Sequence, residues 1–317
     1  MHIPVLLKEA TAVLNPKPGE FFIDGTVNGG GHAVAILEKI SPAGKFLGID
    51  WDENAIERLK IEGLKNCKNA ILVQGNYADL PEILEKIRKA DPSIPLRANG
   101  LLLDLGMSSE QLEHSGRGFS FRKNEPLIMQ YQSSSEILTA AEIINSFKEE
   151  ELADIFFKYG EERFSRKIAK EIIKERQNKR ILTTFELVEI IKKAAPKNYE
   201  KGRIHPATRI FQALRIYVNS ELENLEKLLK NLDKIFPSEA NQSLAEKPKG
   251  RVAIISFHSL EDRLVKNYFR EMAKQGKAEI LTKKPIRPTF QETQANPRAR
   301  SAKMRAVKLR FNSELRM

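Results

Sequence analysis

The sequence predicts an α/β fold in which a doubly wound parallel sheet is interrupted by an inserted helical domain. Two observations favour this fold. Short runs that are apolar throughout alternate with amphipathic stretches up to about residue 112, and strand patterns are then absent from 113 to 205. Such runs are typical of strands buried on both faces of a parallel sheet. We therefore expect one discontinuous domain over 1–112 and 206–317, with a helical domain over 113–205 between its two parts.

The first part of the chain alternates strands with helices. Strands are predicted at 21–24, 45–50, 70–74 and 100–104, and helices at 33–40, 54–64 and 80–90. This order implies right-handed crossovers, which place helices on both faces of the sheet.

The inserted part carries helix signals only. Residues 139–142 and 183–186 both have the form Thr-x-x-Glu, the capping box in which each of the two side chains satisfies a backbone donor of the first turn. Amphipathic helices are expected at 145–157, 164–177 and 184–194.

The α/β pattern returns after the insertion. Apolar residues at helical spacing over 206–236 predict one long helix that packs on the sheet. A fifth strand is expected at 252–256 and a further helix at 260–275, and weaker strand signals follow at 278–282 and 305–311.

The composition restricts the class of partner. The 317 residues carry a formal net charge of +11, and a surface of that sign attracts polyanions, with nucleic acid the first candidate and an anionic membrane the second. A single cysteine, Cys67, excludes an internal disulfide and a thiolate metal cluster, and the five histidines show no metal-ligand spacing. Because no secretory signal or membrane-spanning run is visible, we expect a cytoplasmic protein with no metal and no membrane association.

Three predicted strands end on an aspartate, namely Asp24, Asp50 and Asp104. Ligands of open α/β sheets bind outside the carboxyl ends of the strands, so these carboxylates are expected to line one crevice. Their oxygens would accept hydrogen bonds from hydroxyl and amine donors, as a nucleoside-bearing cofactor requires. A lone aspartate in this position is more often a cap or a turn residue, but three in register favour a ligand site.

A glycine-rich loop at 25–32 follows the first of these strands and would let a ligand approach the backbone closely. The dinucleotide pattern G-x-G-x-x-G does not fit, because Val34 takes the last place when it starts at Gly29 and Val27 the second when it starts at Gly25. No phosphate-loop lysine follows either. The remaining interpretation is S-adenosylmethionine. We expect Asp50 to accept from the ribose hydroxyls, Tyr77 to face the adenine, and Asp104 to meet the amino acid or sulfonium region.

Two residues are candidates for positioning the acceptor. Ser108 follows the fourth strand, where an acceptor atom would meet a methyl donor, and its hydroxyl could accept a hydrogen bond from the attacking group. His258 follows the fifth strand on the same edge. The structural alternatives are a turn of small residues for the first and, for the second, a place beside a helix cap formed by Ser259 with Asp262.

Two basic stretches, 203–215 and 296–305, mix arginine with aromatic and amide side chains. Arginine binds phosphate with two parallel hydrogen bonds and stacks on unpaired bases. Arg209, Arg215, Arg298 and Arg300 are therefore candidate RNA-binding residues. The alternative is a solvated helix face.

Together these motifs resemble one family, the RsmH (MraW) ribosomal RNA methyltransferases of bacteria. The matching blocks are 2–7, 23–26 with 30–32, 102–106, 117–121, 159–163, 205–209, 256–263 and 296–302. The resemblance spans nearly the whole chain. It implies a Rossmann-like methyltransferase domain interrupted by a helical, substrate-recognising domain. It also implies N4-methylation, from S-adenosylmethionine, of a cytosine in the decoding region of small-subunit (16S) rRNA.

The resemblance places cofactor contacts on Gly30, Gly31, His32, Asp50, Tyr77, Asp104 and Gln111. The expected partner is small-subunit rRNA or the small ribosomal subunit, and a homodimer stays open beside a monomer because the sequence does not fix the oligomeric state.

The chain departs from the family pattern at two single positions and within the segment 125–131. Asn28 stands where the family usually has glycine, and Glu110 replaces a usual proline. Within 125–131, Ile128 and Gln130 replace an acid and an arginine, which puts target placement in doubt more than cofactor binding. Two alternatives therefore stay open. One is a catalytically weakened RNA-binding factor that retains the cofactor fold, and the other is a small-molecule methyltransferase, which would leave the charge of +11 unexplained.

Overall fold

The computed structural model describes residues 4–65, 67–113, 115–132, 135–196, 199, 205–237 and 250–310. The chain forms two compact units. The sheet unit comprises Met1–Gly106 with Leu222–Met317, and the helical unit comprises Met107–Glu221. The predicted domain borders, 112 and 206, differ from these, mainly because the helix that starts at Pro206 belongs to the helical unit.

The sheet unit contains one seven-stranded sheet in the order β3-β2-β1-β4-β5-β7-β6. The strands are β1 Phe21–Asp24, β2 Lys45–Asp50, β3 Ala70–Gln74, β4 Gly100–Asp104, β5 Arg251–Ser256, β6 Ala278–Ile280 and β7 Lys303–Leu309. Strands β1 to β5 pair in parallel, whereas β7 runs antiparallel to both of its neighbours. The predicted doubly wound α/β fold is confirmed.

Helices cover both faces of this sheet. They are α1 Leu7–Leu14, α2 Gly31–Ile40, α3 Glu53–Arg58, α4 Leu80–Ala90, α11 Glu221–Lys230, α12 Leu232–Ile235, α13 Ser259–Lys274 and α14 Phe290–Ala295. Alternate residues of β1 enter different cores: Phe21 packs with α4 and α13, and Phe22 packs with α1 and α2. Burying a side chain such as Phe22, which is 1% exposed, stabilises the fold by roughly 1.5–3 kcal/mol.

The helical unit contains α5 Ser109–Glu113, α6 Ala140–Ser146, α7 Glu149–Gly160, α8 Ser165–Arg176, α9 Thr184–Ala194 and α10 Pro206–Asn219. Both predicted capping boxes are present, with Thr139 and Thr183 as the caps and Glu142 and Glu186 as their partners. The helix expected at 145–157 is instead α6 and α7, because Phe147 between them adopts an extended conformation.

Close packing in this unit depends on Gly160, at the end of α7. A Cβ at this position would lie 2.6 Å from the backbone oxygen of Arg209 in α10, so only glycine lets the two helices approach this closely.

The prediction of one long helix over 206–236 is wrong. The chain leaves the helix at Ser220, whose φ of 49° is in the left-handed region, and turns again at Asn231. The segment therefore forms α10, α11 and α12. Among the described residues, no helix combines the length and the apolar character needed to span a membrane.

Candidate active site

The three strand-end aspartates lie on adjacent strands of the sheet unit. Asp24 ends β1, Asp50 ends β2 and Asp104 ends β4, and β1 pairs with both of the others. They are 1%, 6% and 5% exposed. The structure thus brings these side chains to one edge of the sheet, as the sequence predicted.

Burial changes the acidity of these carboxyl groups. Desolvation raises the pKa of Asp24 to about 7, and the charges of Asp104 and Asp50 add to this effect. Desolvation likewise raises the pKa of Asp104 to about 7, with a contribution from Glu261. Desolvation raises the pKa of Asp50 to about 6, and the backbone hydrogen bonds from Asp52 and Asn28 partly offset this rise. A cation bound at this edge would favour the ionised carboxylates.

The glycine-rich loop is fastened to the end of β2. The amide of Asn28 donates to Oδ2 of Asp50 at 2.8 Å, and the amide of Val27 donates to the carbonyl of Ile49 at 2.8 Å. Asn28 has a φ of 45°, so asparagine accepts the left-handed conformation, as expected where the family usually has glycine. Gly30 has a φ of 77°, and a Cβ there would lie 2.6 Å from Leu59.

Thr26 links the first and third aspartates. Its amide donates to Oδ1 of Asp24 at 3.0 Å, and its hydroxyl oxygen accepts from the amide of Asp104 at 2.6 Å. Thr26 is not among the site residues predicted from the sequence. The available signal was its position two residues after a strand-end aspartate, where a hydroxyl commonly binds a nearby backbone group.

His32 lies beside Asp104. Its Nδ1 is 3.8 Å from Oδ2 of Asp104, and its Nε2 is 3.0 Å from the carbonyl oxygen of Val5. Because a carbonyl can only accept, Nε2 carries a proton and the other ring nitrogen is directed at the carboxylate. The amide of Gly106 donates to Oδ1 of the same aspartate at 3.1 Å.

Tyr77 opens a short 3-10 turn, Tyr77–Asp79, after β3. The side chain of Asn76 caps this turn by accepting from the amide of Ala78 at 2.9 Å. A Cβ on Gly25 would lie 3.1 Å from Cβ of Tyr77, so the tyrosine borders the glycine-rich loop. Gly31 begins α2, and a Cβ there would lie 2.7 Å from Pro4.

Ser108 and Gln111 belong to the helical unit and bind each other. The Ser108 hydroxyl oxygen accepts from the Gln111 amide at 3.1 Å, and Oε1 of Gln111 accepts from the Ser108 amide at 3.0 Å. This reciprocal pair fixes the start of α5 and gives both side chains a structural role. Their proposed parts in catalysis and cofactor binding stay predictions.

His258 forms the N-cap of α13. Its Nδ1 accepts from the amide of Glu261 at 3.4 Å, and its Nε2 lies 3.1 Å from Oε1 of the same residue. The expected cap of Ser259 with Asp262 is therefore wrong, since the helix begins at Ser259 and an imidazole nitrogen serves as the cap acceptor. Asp262 binds Arg305 instead, with Nε and Oδ1 2.6 Å apart. The catalytic role of His258 stays a prediction.

The candidate RNA-binding arginines have different surroundings. In the helical unit, Arg215 makes a double hydrogen bond to Glu221 at 2.8 and 3.0 Å, and Arg209 donates to the carbonyl of Glu161 at 3.3 Å. In the sheet unit, Arg298 and Arg300 lie on the 3-10 turn Pro297–Ser301, where Arg300 is exposed and Arg298 half-buried.

Segment 125–131, which differs from the family pattern, has a defined local structure in the helical unit. The Gln130 side chain is 5% exposed, and its Nε2 donates to the carbonyl of Ile137 at 2.5 Å. Met129 has a φ of 56°, and Ile128 is half-buried. The glutamine thus serves as a local structural anchor.

The residues at the sheet edge fit S-adenosylmethionine. Buried carboxylates with raised pKa values suit a ligand that carries a sulfonium and an ammonium group, and Asp50 can accept from ribose hydroxyls in addition to its two backbone donors. The loop adopts the left-handed conformation at Asn28 and Gly30, and the amide of Asn28 is directed at the Asp50 carboxylate.

Sequence comparisons with known proteins agree with this fit. A sequence model of the MraW methylase family matches residues 1–310. Ribosomal RNA small subunit methyltransferase H of Syntrophotalea carbinolica is 43% identical over 324 residues, which cover 97% of each chain. The protein of the same name from Halothermothrix orenii is 43% identical over 327 residues, which cover 98% of this chain and 99% of that one. Among solved structures, TrmN from Thermus thermophilus has 8% identity and a TM-score of 0.43, covering 96% of this chain and 48% of that one.

The fold, the site and the family match define a Rossmann-like methyltransferase that uses S-adenosylmethionine. The chain belongs to the MraW methylase family.

Proposed function

We propose that this protein transfers a methyl group from S-adenosylmethionine to the N4 amine of a cytosine in the decoding region of small-subunit rRNA, in the cytoplasm. The observation that carries the proposal is the match over nearly the full chain to relatives named for methylation of small-subunit rRNA. The net charge of +11 supports a polyanionic substrate. The full set of motif blocks shared with the RsmH family supports the choice of the cytosine amine.

The chemistry of a cytosine amine sets what the site must supply. Its lone pair is delocalised into the ring, so it is a weak nucleophile, and the base must be held out of its stack to reach the donor. The sulfonium of S-adenosylmethionine supplies an electrophilic methyl group. Held by residues such as Asp50 and Asp104, the cofactor would supply this methyl group, and the amine would have to pass one proton to an acceptor. Ser108, which lies four residues after Asp104, is our candidate for the hydrogen bond that orients the amine.

Nucleoside analysis tests the proposal. Small ribosomal subunits or their rRNA are incubated with the protein and S-adenosylmethionine labelled in its methyl group, and the RNA is then digested to nucleosides. We expect the label in N4-methylcytidine, and less label with the Asp50→Ala variant at a limiting cofactor concentration. Label on another base or on protein would contradict the proposal.

The predicted division of labour between the domains is part of the proposal. The sheet unit would bind the cofactor, and the helical unit would recognise the RNA through basic side chains such as Arg209. Arg215 is the least suited of the four candidate arginines, because Glu221 already occupies its guanidinium with two hydrogen bonds. The homodimer stays a prediction.

A catalytically weakened RNA-binding factor is the second candidate. It is favoured by Ile128 and Gln130, because the buried Gln130 amide donates to Ile137 and carries no charge toward a substrate. Combining Ile128→Asp with Gln130→Arg tests it. A weakened enzyme would gain methyl transfer, whereas a fully active one would gain nothing. A small-molecule methyltransferase is the third candidate, and a steep loss of substrate affinity with salt would argue against it.

A further inference from the structure

The sheet unit carries a basic depression at the edge of the sheet formed by β6 and β7. It is lined by Lys266 and Arg270 of α13, by Thr282 and Lys283 after β6, and by Arg305 of β7. The depression is small and partly open to solvent. We propose that this depression, which we call the edge site, binds a phosphate group of the RNA backbone. The proposal rests on the proposed function, which supplies the RNA.

The local structure directs these side chains to one place. Val265 and Phe269 are buried in the core beneath α13, and Lys266 and Arg270 follow each of them by one residue, one helical turn apart. Beyond β6, the Thr282 hydroxyl oxygen accepts from the amide of Ala306 at 2.9 Å. This bond continues the pairing of the strands through a side chain, and it holds Thr282 at the wall of the depression.

The charges at the edge site are not balanced within the described chain. Among the cations of the edge site, Arg305 is paired with an acid, Asp262, at 2.6 Å. The same carboxylate lies 3.5 Å from Lys303, outside the edge site. Lys266, Arg270 and Lys283 make no ion pair with any residue that the structure describes. Three cations that converge on one concave surface favour an anionic ligand over the alternative, a solvated convex face.

The types of donor indicate phosphate. Arginine supplies a planar pair of N–H donors that matches two phosphate oxygens, and lysine supplies a compact charge. The Thr282 hydroxyl keeps its proton to donate, because its oxygen is the acceptor for Ala306. Thr282 is 7% exposed, so its position is fixed by packing rather than by solvent. Contacts of this kind bind the backbone without reading the base sequence.

The edge site also lies at a suitable place in the sheet. Arg305 pairs with Ile254 of β5, and Ile255, the next residue, pairs with Asp104 of β4. Along the strands, the backbone of Arg305 is therefore almost level with that of Asp104, two strand spacings or roughly 10 Å away, with the edge site on the α13 face of the sheet and the Asp104 side chain on the opposite face. When the target base of an RNA lies at the carboxyl ends of β1, β2 and β4, a phosphate that flanks this base would be within reach of α13.

The test compares two double variants of the full-length protein. Lys266→Ala with Arg270→Ala removes two cations from the edge site. Lys39→Ala with Lys86→Ala removes two exposed, unpaired lysines from helices elsewhere in the sheet unit and serves as the matched control. Affinity for a decoding-region RNA fragment is measured by fluorescence anisotropy over a series of salt concentrations, together with the affinity for S-adenosylmethionine and the melting temperature.

We expect the edge-site variant to bind RNA about tenfold more weakly, with a salt dependence of log Kd that is less steep by roughly one to two. Lys283→Ala alone should act in the same direction. The control should bind RNA within about twofold of the wild type, and cofactor affinity and melting temperature should be unchanged in both. If the edge-site variant matches the control in affinity and slope, the proposal is overturned.

Two further measurements distinguish a failure of the edge-site proposal from a failure of the proposed function. Methyl transfer by the wild type is assayed in parallel, so that absent transfer with an intact edge-site effect counts against the proposed function alone. Inorganic phosphate is added to the RNA-free protein at constant ionic strength. If it raises the melting temperature of the wild type while the variant binds RNA like the control, the ligand is a free anion, and the RNA contact is overturned.

Discussion

The backbone amide of Asn28 donates a 2.8 Å hydrogen bond to Oδ2 of Asp50, and this bond joins the glycine-rich loop to the end of β2. The other oxygen of the carboxylate accepts from Asp52 at 2.9 Å. Asp50 is thereby held in one orientation before any ligand arrives. A preorganised acceptor of this kind lowers the entropy lost when a ribose binds.

The loop conformation gives the first prediction. Because Asn28 has a φ of 45°, Asn28→Gly should retain stability and cofactor binding, whereas Asn28→Val should destabilise the protein by about 1–2 kcal/mol. Urea denaturation of both variants checks this. Equal stability of the valine and glycine variants would show that the left-handed conformation is absent in solution.

The second prediction concerns cofactor affinity. Asp50→Ala should weaken binding of S-adenosylmethionine by at least about tenfold, because it removes the carboxylate that Asn28 and Asp52 orient. Equilibrium dialysis with labelled cofactor measures the change. The control is Asp91→Ala, which removes the carboxylate at the C-terminal end of α4 in the same unit and should leave the affinity unchanged.

The third prediction concerns pH. Burial raises the pKa of Asp24 from 3.8 to about 7, so between these values the folded protein binds more protons than the unfolded chain. The contribution of this group to the free energy of unfolding therefore falls as pH rises from about 4 to about 7. Asp24→Asn keeps an oxygen for Thr26 but cannot ionise, and it should be more stable than the wild type at pH 8.

The expected gain at pH 8 for Asp24→Asn is on the order of 1–3 kcal/mol, shrinking toward pH 4. Ligand-free protein is to be used for both melts, since a bound cation would stabilise the carboxylate. Parallel stability curves for the two proteins from pH 4 to pH 8 would mean that Asp24 ionises normally.

The fourth prediction concerns the helical unit. Gly160→Ala would place a Cβ 2.6 Å from the backbone oxygen of Arg209, so α7 and α10 must move apart at a cost of about 1–3 kcal/mol. Phe157→Ala is the control, because this side chain is 66% exposed on the same helix. Thermal melts should show a lower melting temperature for Gly160→Ala than for Phe157→Ala. A melting temperature for Gly160→Ala that is no lower than that of the control would contradict this packing.

The sheet and its three aspartates could be predicted because strands buried on both faces leave an unbroken apolar run in the sequence, as Phe21 and Phe22 do on opposite faces of β1. The break of the long helix at Ser220 could not, since a serine in the left-handed conformation leaves no mark in a periodic apolar stripe. The pairing of Arg215 with Glu221 was also hidden, because six residues is not a usual spacing for an ion pair along a helix.

An unusual helix cap and contacts between distant segments account for the other differences. His258 caps α13 through an imidazole nitrogen, a role that the sequence assigns more readily to the neighbouring serine. The edge site brings residues of α13 together with residues after β6, and no local sequence pattern indicates that Lys266 and Lys283 lie close together. Thr26 bridges two strand ends that are far apart in the chain, from β1 to Asp104.

A crystal structure of the protein with S-adenosylmethionine tests the central claim most directly. The account predicts one adenosyl group at the carboxyl edge of β1, β2 and β4, with its ribose hydroxyls within hydrogen-bond distance of the Asp50 carboxylate and its adenine beside Tyr77. Electron density for the cofactor at another place, or a ribose directed away from Asp50, would contradict it.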